Sequence, residues 1–150
     1  MLEHQLQKVL SHYNALQEYH KYIRDLDFDF SVEAFERLTI EQKAVLEAYL
    51  KRFASLQDYL GSKVFKSLLD RAGISYRKMS EVLTLMENEG IIDLEDWIEL
   101  RAIRNDLEHD YPDELEEALQ DVKYCVDSFA KMQDIVEKVF AFARRYGAHT

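Results

Sequence analysis

One proline and four glycines among 150 residues leave this chain almost nothing with which to turn sharply. An all-β sandwich needs a turn signal about every 8–12 residues, so the scarcity of breakers favours long helices joined by short connections. The apolar residues repeat accordingly. Leu2, Leu6, Val9, Tyr13, Leu16, His20 and Ile23 alternate steps of four and three, the spacing of one face of an amphipathic helix ending near Leu26. Asp27 to Ser31 breaks the pattern, and Phe28 and Phe30 are expected to pin this loop to the core, with a short helical turn from Glu33 to Leu38.

Thr39-Ile40-Glu41-Gln42 has the form of a capping box, and Leu46, Leu50, Phe53, Leu56, Leu60, Val64 and Leu68 carry one apolar face on to Ala72, where Gly73 stops it. Gly61 lies inside this second long helix at a cost of about 1 kcal/mol relative to alanine, which predicts a kink or a close helix contact there. A short third helix opens at Ser75 or its neighbour and runs through Met79, Val82, Leu83 and Met86 to Gly90. The fourth runs from about Leu94 through Trp97, Ile98, Leu100 and Ile103 to Leu107. It ends near Asp110, because Tyr111, the residue before Pro112, is pushed out of the α region. Pro112 and Asp113 open a fifth helix with Leu115, Val122, Phe129, Val136 and Ala143 at intervals of seven. Ala118, Cys125, Met132, Val139 and Tyr146 lie three positions further on, completing a heptad seam. The expected fold is all-α, a single domain over residues 1–150. Helices one, two, four and five form a four-helix up-down bundle with the third as a short extra.

Composition narrows the function classes. With 47% hydrophobic residues the chain has material for a core without staples, and Cys125 stands alone, so neither an internal disulfide nor a Cys/His zinc site is expected. No basic leader and no apolar run of membrane length is present, which points to a cytoplasmic protein without a membrane partner. The formal charge of −10 opposes nonspecific binding to long nucleic acid and suits a basic partner. His4, His12 and His20 recur every eight residues, but each step rotates the side chain by roughly 80°, so they do not share a face, and His20 reads as a hydrogen-bonded core histidine. Cys125 occupies a core position with no base near it in sequence. The segment from Ala72-Gly73-Ile74-Ser75 to Gly90-Ile91-Ile92 loosely resembles a winged helix-turn-helix. Arg77 and Lys78 are offset there by Glu81, Glu87 and Glu89, so DNA binding ranks third among the functional readings.

The stretch Arg104-Asn105-Asp106-Leu107-Glu108-His109-Asp110-Tyr111 gathers a guanidinium, an amide, an imidazole and a phenol where a helix breaks off. Asn105 and His109 are four apart, so the amide can orient the imidazole, and Arg101 and Trp97 extend the same stripe. Arg104 and His109 are five apart, roughly 140° around the axis, and converge on one ligand only through arginine's reach or a second copy of the helix. The bland alternative is a solvated helix end with an Arg104–Glu108 pair worth about 0.3 to 0.5 kcal/mol.

Met86-Glu87 to Gly90-Ile91-Ile92, then Trp97, Leu100 and Arg101, and finally Arg104-Asn105-x-x-x-His109-x-Tyr111 resemble the second half of a HEPN-domain protein of the HepT-like toxin group, over roughly residues 75–146. The resemblance implies a homodimer of helical bundles with two motifs facing across a cleft, acting as a metal-independent ribonuclease of a toxin–antitoxin pair without a cofactor. Arg104 and His109 would be the catalytic pair, Asn105 and Arg101 its polar support, and Tyr111 the phenol that a minimal nucleotidyltransferase partner, the antitoxin, modifies with AMP. A related group with the same fold implies the alternative, a noncatalytic companion of such a nucleotidyltransferase. Asp106, Glu108 and Asp110 make the surroundings of the motif acidic.

Overall fold

The computed structural model describes residues 1–110 and 114–149, without the side chains at positions 109 and 110. Among these residues the chain is all-helical with no strand: α1 Leu2–Asp25, α2 Val32–Glu36, α3 Ile40–Tyr59, a π-helical turn Leu60–Val64, α4 Phe65–Ala72, α5 Met79–Asn88, α6 Leu94–Asp110, α7 Leu115–Asp127 and α8 Phe129–Arg145. No described helix is long and apolar enough to cross a membrane.

Local chemistry sets most boundaries. Thr39 and Gln42 close a reciprocal capping box on α3, with Gln42 N–H donating to Thr39 Oγ1 at 3.1 Å and Thr39 N–H to Gln42 Oε1 at 2.9 Å. Gly73 adopts φ 75° after α4, and the Ile74 N–H returns to the Leu69 carbonyl at 2.9 Å. The helix α5 starts at Met79 rather than near Ser75, with the Glu81 carboxylate accepting the Arg77 N–H at 2.5 Å. In the loop before α2, Phe30 is buried at φ 62° and Phe28 packs on it with ring centroids 4.7 Å apart.

Two expected long helices are interrupted. The segment from Ile40 to Ala72 passes through the π-turn around Gly61, where an added Cβ would lie 3.2 Å from Trp97 Cζ2 on α6, so the glycine marks a close helix contact. The expected fifth helix is divided at Ser128, whose hydroxyl donates to the Tyr124 carbonyl at 2.7 Å while its own N–H uses the same acceptor. Such back-bonding bends a helix without changing its apolar pattern.

The core is one cluster. Its contacts pair Lys8 with Tyr59, His12 with Arg52 and His20 with Tyr49, so α1 and α3 run antiparallel. The helix α6 lies against the other flank of α3, with Trp97 on Phe65 of α4, and α7 and α8 complete the core. The heptad positions of α7 and α8 are buried within the chain, apart from half-buried Leu115 and exposed Tyr146, so the seam itself does not require a second copy.

Candidate functional site around Arg104

Two carboxylates organise the start of α6: Glu87 accepts the Leu94 N–H at 2.7 Å and Asp93 accepts the Asp96 N–H at 3.0 Å. From there Trp97, Leu100, Arg104 and Leu107, spaced three, four and three, form the inward stripe, and all four are buried. Arg104 therefore occupies a core position between two leucines. Further up the same contact, Gln57 donates through Nε2 to the Trp97 carbonyl at 3.1 Å while its buried Oε1 has no partner.

The Arg104 guanidinium crosses to α3. Nη1 donates to the Ala54 carbonyl at 2.8 Å and Nη2 to Asp58 Oδ1 at 2.5 Å, whereas Nε is buried without a partner. The ion pair is lopsided: the arginine side chain is 9% exposed and the aspartate 62%. Asp58 is thus a surface carboxylate that neutralises a buried cation from the rim. Arg104 lines an open cavity of about 580 Å³, with Leu50, Lys51, Ser55, Asp58 and Glu108 among the other walls. Cys125 lines it too, but burial pushes its thiol up to about 12, so it stays protonated and is no nucleophile at neutral pH.

Arg104 pairs with Asp58 and not with Glu108, which corrects the bland expectation for this helix end. Arg101 and Asn105 are exposed on the outer side of α6. By helical register position 109 shares that outer stripe with Ile98, Ala102 and Asn105, and Ile98, expected in the apolar run, is 54% exposed. The motif thus diverges within one copy, with Arg104 facing α3 and position 109 on the outer stripe. The His109 side chain lies outside the described residues, as do Tyr111 and Pro112.

A second cationic group escaped the sequence reading. Arg52 Nη1 lies 3.1 Å from His12 Nδ1, and Lys8 Nζ sits 4.6 Å from the centre of the Tyr59 ring. Burial lowers the His12 pKa, with the charges of Arg52 and Lys8 adding to the effect. Burial also lowers that of His20, helped by Arg24 and opposed by the Val126 backbone and Asp127, and its ring stacks on Phe129 at 4.2 Å and 14°. The only sequence traces of the Arg52 group are Lys8–His12 four apart and Arg52–Tyr59 seven apart. Each places its pair on one helix face, but neither reveals that the two faces meet.

Charge is unevenly spread. Residues 87–127 hold 15 of the 29 acidic residues and 3 of the 19 basic ones, whereas residues 1–86 hold 12 of each. The helix α5, the nearest analogue of a DNA-reading helix, contains no lysine or arginine. Among the described residues no three His, Cys, Asp or Glu side chains are grouped to hold a metal ion. Comparisons of the chain with known protein families, curated proteins and solved structures gave no match.

Proposed function

We propose that this chain is a HEPN-domain protein of the HepT-like group, a cytoplasmic homodimer of four-helix bundles that cleaves RNA without a metal ion. The bundle would consist of α1, α3 with α4, α6, and α7 with α8, leaving α5 as the extra helix. The observation that carries the reading is the run Arg104-Asn105-x-x-x-His109-x-Tyr111 at the C-terminal end of α6, with Arg104 on the wall of an open cavity. The divergence of Arg104 from position 109 supports a site completed by a second copy, and the exposed Ile98 and Ala102 beside position 109 give that copy an apolar foothold.

In this mechanism His109 takes the proton of a ribose 2′-hydroxyl, a task suited to an imidazole with an ordinary pKa of about 6.5. The 2′ oxygen attacks phosphorus, the bond to the 5′ oxygen breaks, and that oxygen leaves with a proton from water. Arg104 holds the nonbridging oxygens as charge builds, while Asn105 and Arg101 support the imidazole and the incoming strand. The products are a 2′,3′-cyclic phosphate and a 5′-hydroxyl. Tyr111 is the site at which a minimal nucleotidyltransferase antitoxin transfers AMP from ATP, releasing pyrophosphate.

One observation favours the second reading, a noncatalytic companion of the nucleotidyltransferase. Both terminal nitrogens of Arg104 are engaged by α3, so the guanidinium must leave Asp58 before it can hold a phosphate. Cleavage of single-stranded RNA in EDTA separates the two. The enzyme reading expects 2′,3′-cyclic ends, intact DNA, and activity lost in His109→Ala and cut at least 100-fold in Arg104→Lys, both still folded. Intact RNA with wild-type protein favours the companion reading, and full activity in both variants removes Arg104 and His109 from the chemistry.

A further inference from the structure

We infer that Lys8, His12, Arg52 and Tyr59, where α1 meets α3, form a binding site for a phosphodiester of single-stranded RNA outside the catalytic cleft. The inference rests on the ribonuclease reading for the identity of its ligand. The state and the rigidity of its side chains are independent of the Arg104 motif.

Among the described residues neither Lys8 nor Arg52 has a carboxylate within 4.0 Å, although the chain has ten more acidic than basic residues. Among the described residues only Arg71, Arg104, Lys123, Lys131 and Lys138 have one, so what sets this pair apart is the half-buried imidazole that Arg52 faces and the ring beneath Lys8. Arg52 instead faces an imidazole nitrogen. A guanidinium has only donors, so at 3.1 Å His12 Nδ1 must accept, which leaves the ring neutral with its proton on Nε2. The group therefore offers an ammonium, a guanidinium, an imidazole N–H and a phenol O–H, and its imidazole acceptor is already used. Donors without an anion are the complement of a phosphate.

The group is also held in place. Arg52, His12 and Tyr59 are half-buried between two antiparallel helices, with the His12 and Tyr59 rings 6.2 Å apart and Lys8 resting on the tyrosine face. Side chains held in this way lose less entropy on binding than free surface lysines.

The group lies one helix face away from the Arg104 cavity. Lys51 lines the Arg104 cavity and Arg52 belongs to the α1 flank, so consecutive residues of α3 serve the two regions. Arg52 and Asp58 are six residues apart, roughly 9 Å along the axis, with Ser55 on the cavity wall between them. A strand leaving the cavity toward α7 would meet the acid-rich segment 87–127. One crossing α3 meets the half of the chain in which acidic and basic residues balance. The charge balance favours the path across α3.

The test is the salt dependence of binding for a labelled single-stranded RNA oligonucleotide, measured by fluorescence anisotropy on a His109→Ala background so that the probe survives. Each lost phosphate contact should lower the slope of log K against log salt by about 0.7. Lys8→Glu and Arg52→Ala are expected to lower it by that amount or more and to weaken binding about tenfold at low salt. Lys78→Ala, on the connection before α5, should leave both unchanged. Lys8 is exposed, so its variant stays folded even if Arg52→Ala does not. Unchanged slopes in both variants overturn the inference, as does an absence of RNA binding. So does a salt-dependent self-association, lost in Lys8→Glu, which would mean that the cations grip the acidic face of another copy. Cleavage by the wild-type protein, scored separately, decides the ribonuclease reading whichever way the slopes fall.

Discussion

The two flanks of α3 each present an arginine to a neighbouring helix and treat it in opposite ways. On the α6 flank, Arg104 fills a core position between leucines, and its charge is met by Asp58 and a main-chain carbonyl. On the α1 flank, Arg52 is half-buried beside a neutral histidine and has no carboxylate. The guanidinium chemistry is the same in both places. The stripe that each residue occupies decides whether it serves packing first or remains open to a ligand. An arginine inside an apolar stripe must carry its counter-charge with it, because an unpaired buried cation is too costly to keep.

The largest effect that separates the flanks is on stability. Arg104→Ala removes two charge-assisted hydrogen bonds and the stem packed between Leu100 and Leu107, and should cost about 2–3 kcal/mol in urea unfolding. Arg52→Ala should cost about 1 kcal/mol or less, the worth of one half-buried hydrogen bond. Equal losses at the two sites would erase the distinction between them.

The next effect sharpens the α6 flank alone. A side chain at Gly61 meets Trp97, which is itself buried against Phe65 with ring centroids 5.1 Å apart and has no room to retreat. Gly61→Val is expected to destabilise by about 2 kcal/mol through overpacking, beyond any gain from a better helix former. If the variant is as stable as wild type, the π-turn has more freedom than this contact allows.

The sequence announces what local chemistry decides. Thr39 with Gln42 and the glycines at 73 and 90 mark helix ends from within a few residues, and each serves the expected end. The inward stripe of α6 was not legible: the expected stripe joins Trp97 to Arg101 and Asn105, whereas Trp97 is buried with Leu100, Arg104 and Leu107 while Arg101 and Asn105 are exposed, because an arginine at a core position interrupts the apolar pattern. The partner of Arg104 was not legible either, because Asp58 lies 46 residues away and nothing near it in sequence distinguishes it from other surface acids. The same holds for Arg52 and His12, 40 residues apart. The break at Ser128 was hidden for another reason. The apolar pattern continues through it, and one hydroxyl choosing a carbonyl four residues back leaves no mark on periodicity.

The smallest effect belongs to the α1 flank and is read from pH. His12 is held below its ordinary pKa of 6.5, first by burial and then by the Arg52 and Lys8 charges. The groups facing it are Lys8 on its own helix and Arg52 and Tyr59 on α3, and burial raises the Tyr59 phenol, which keeps it neutral here. A histidine with a depressed folded-state pKa binds fewer protons in the native than in the unfolded state between the two pKa values. Stability from this site is therefore complete above pH 6.5 and is lost as pH falls from there through the folded value. Arg52→Ala removes the second cause of the depression and leaves the burial, so the His12 pKa should rise part of the way toward 6.5 and the acid loss of stability should shrink. Two-dimensional NMR of the ring protons resolves His12 from His20, whose own depression comes from burial and Arg24 and should not move. Asp58→Asn, on the opposite flank, should leave the His12 curve in place. A shift there would mean that the two flanks of α3 share one electrostatic environment, and the contrast between Arg52 and Arg104 would lose its basis.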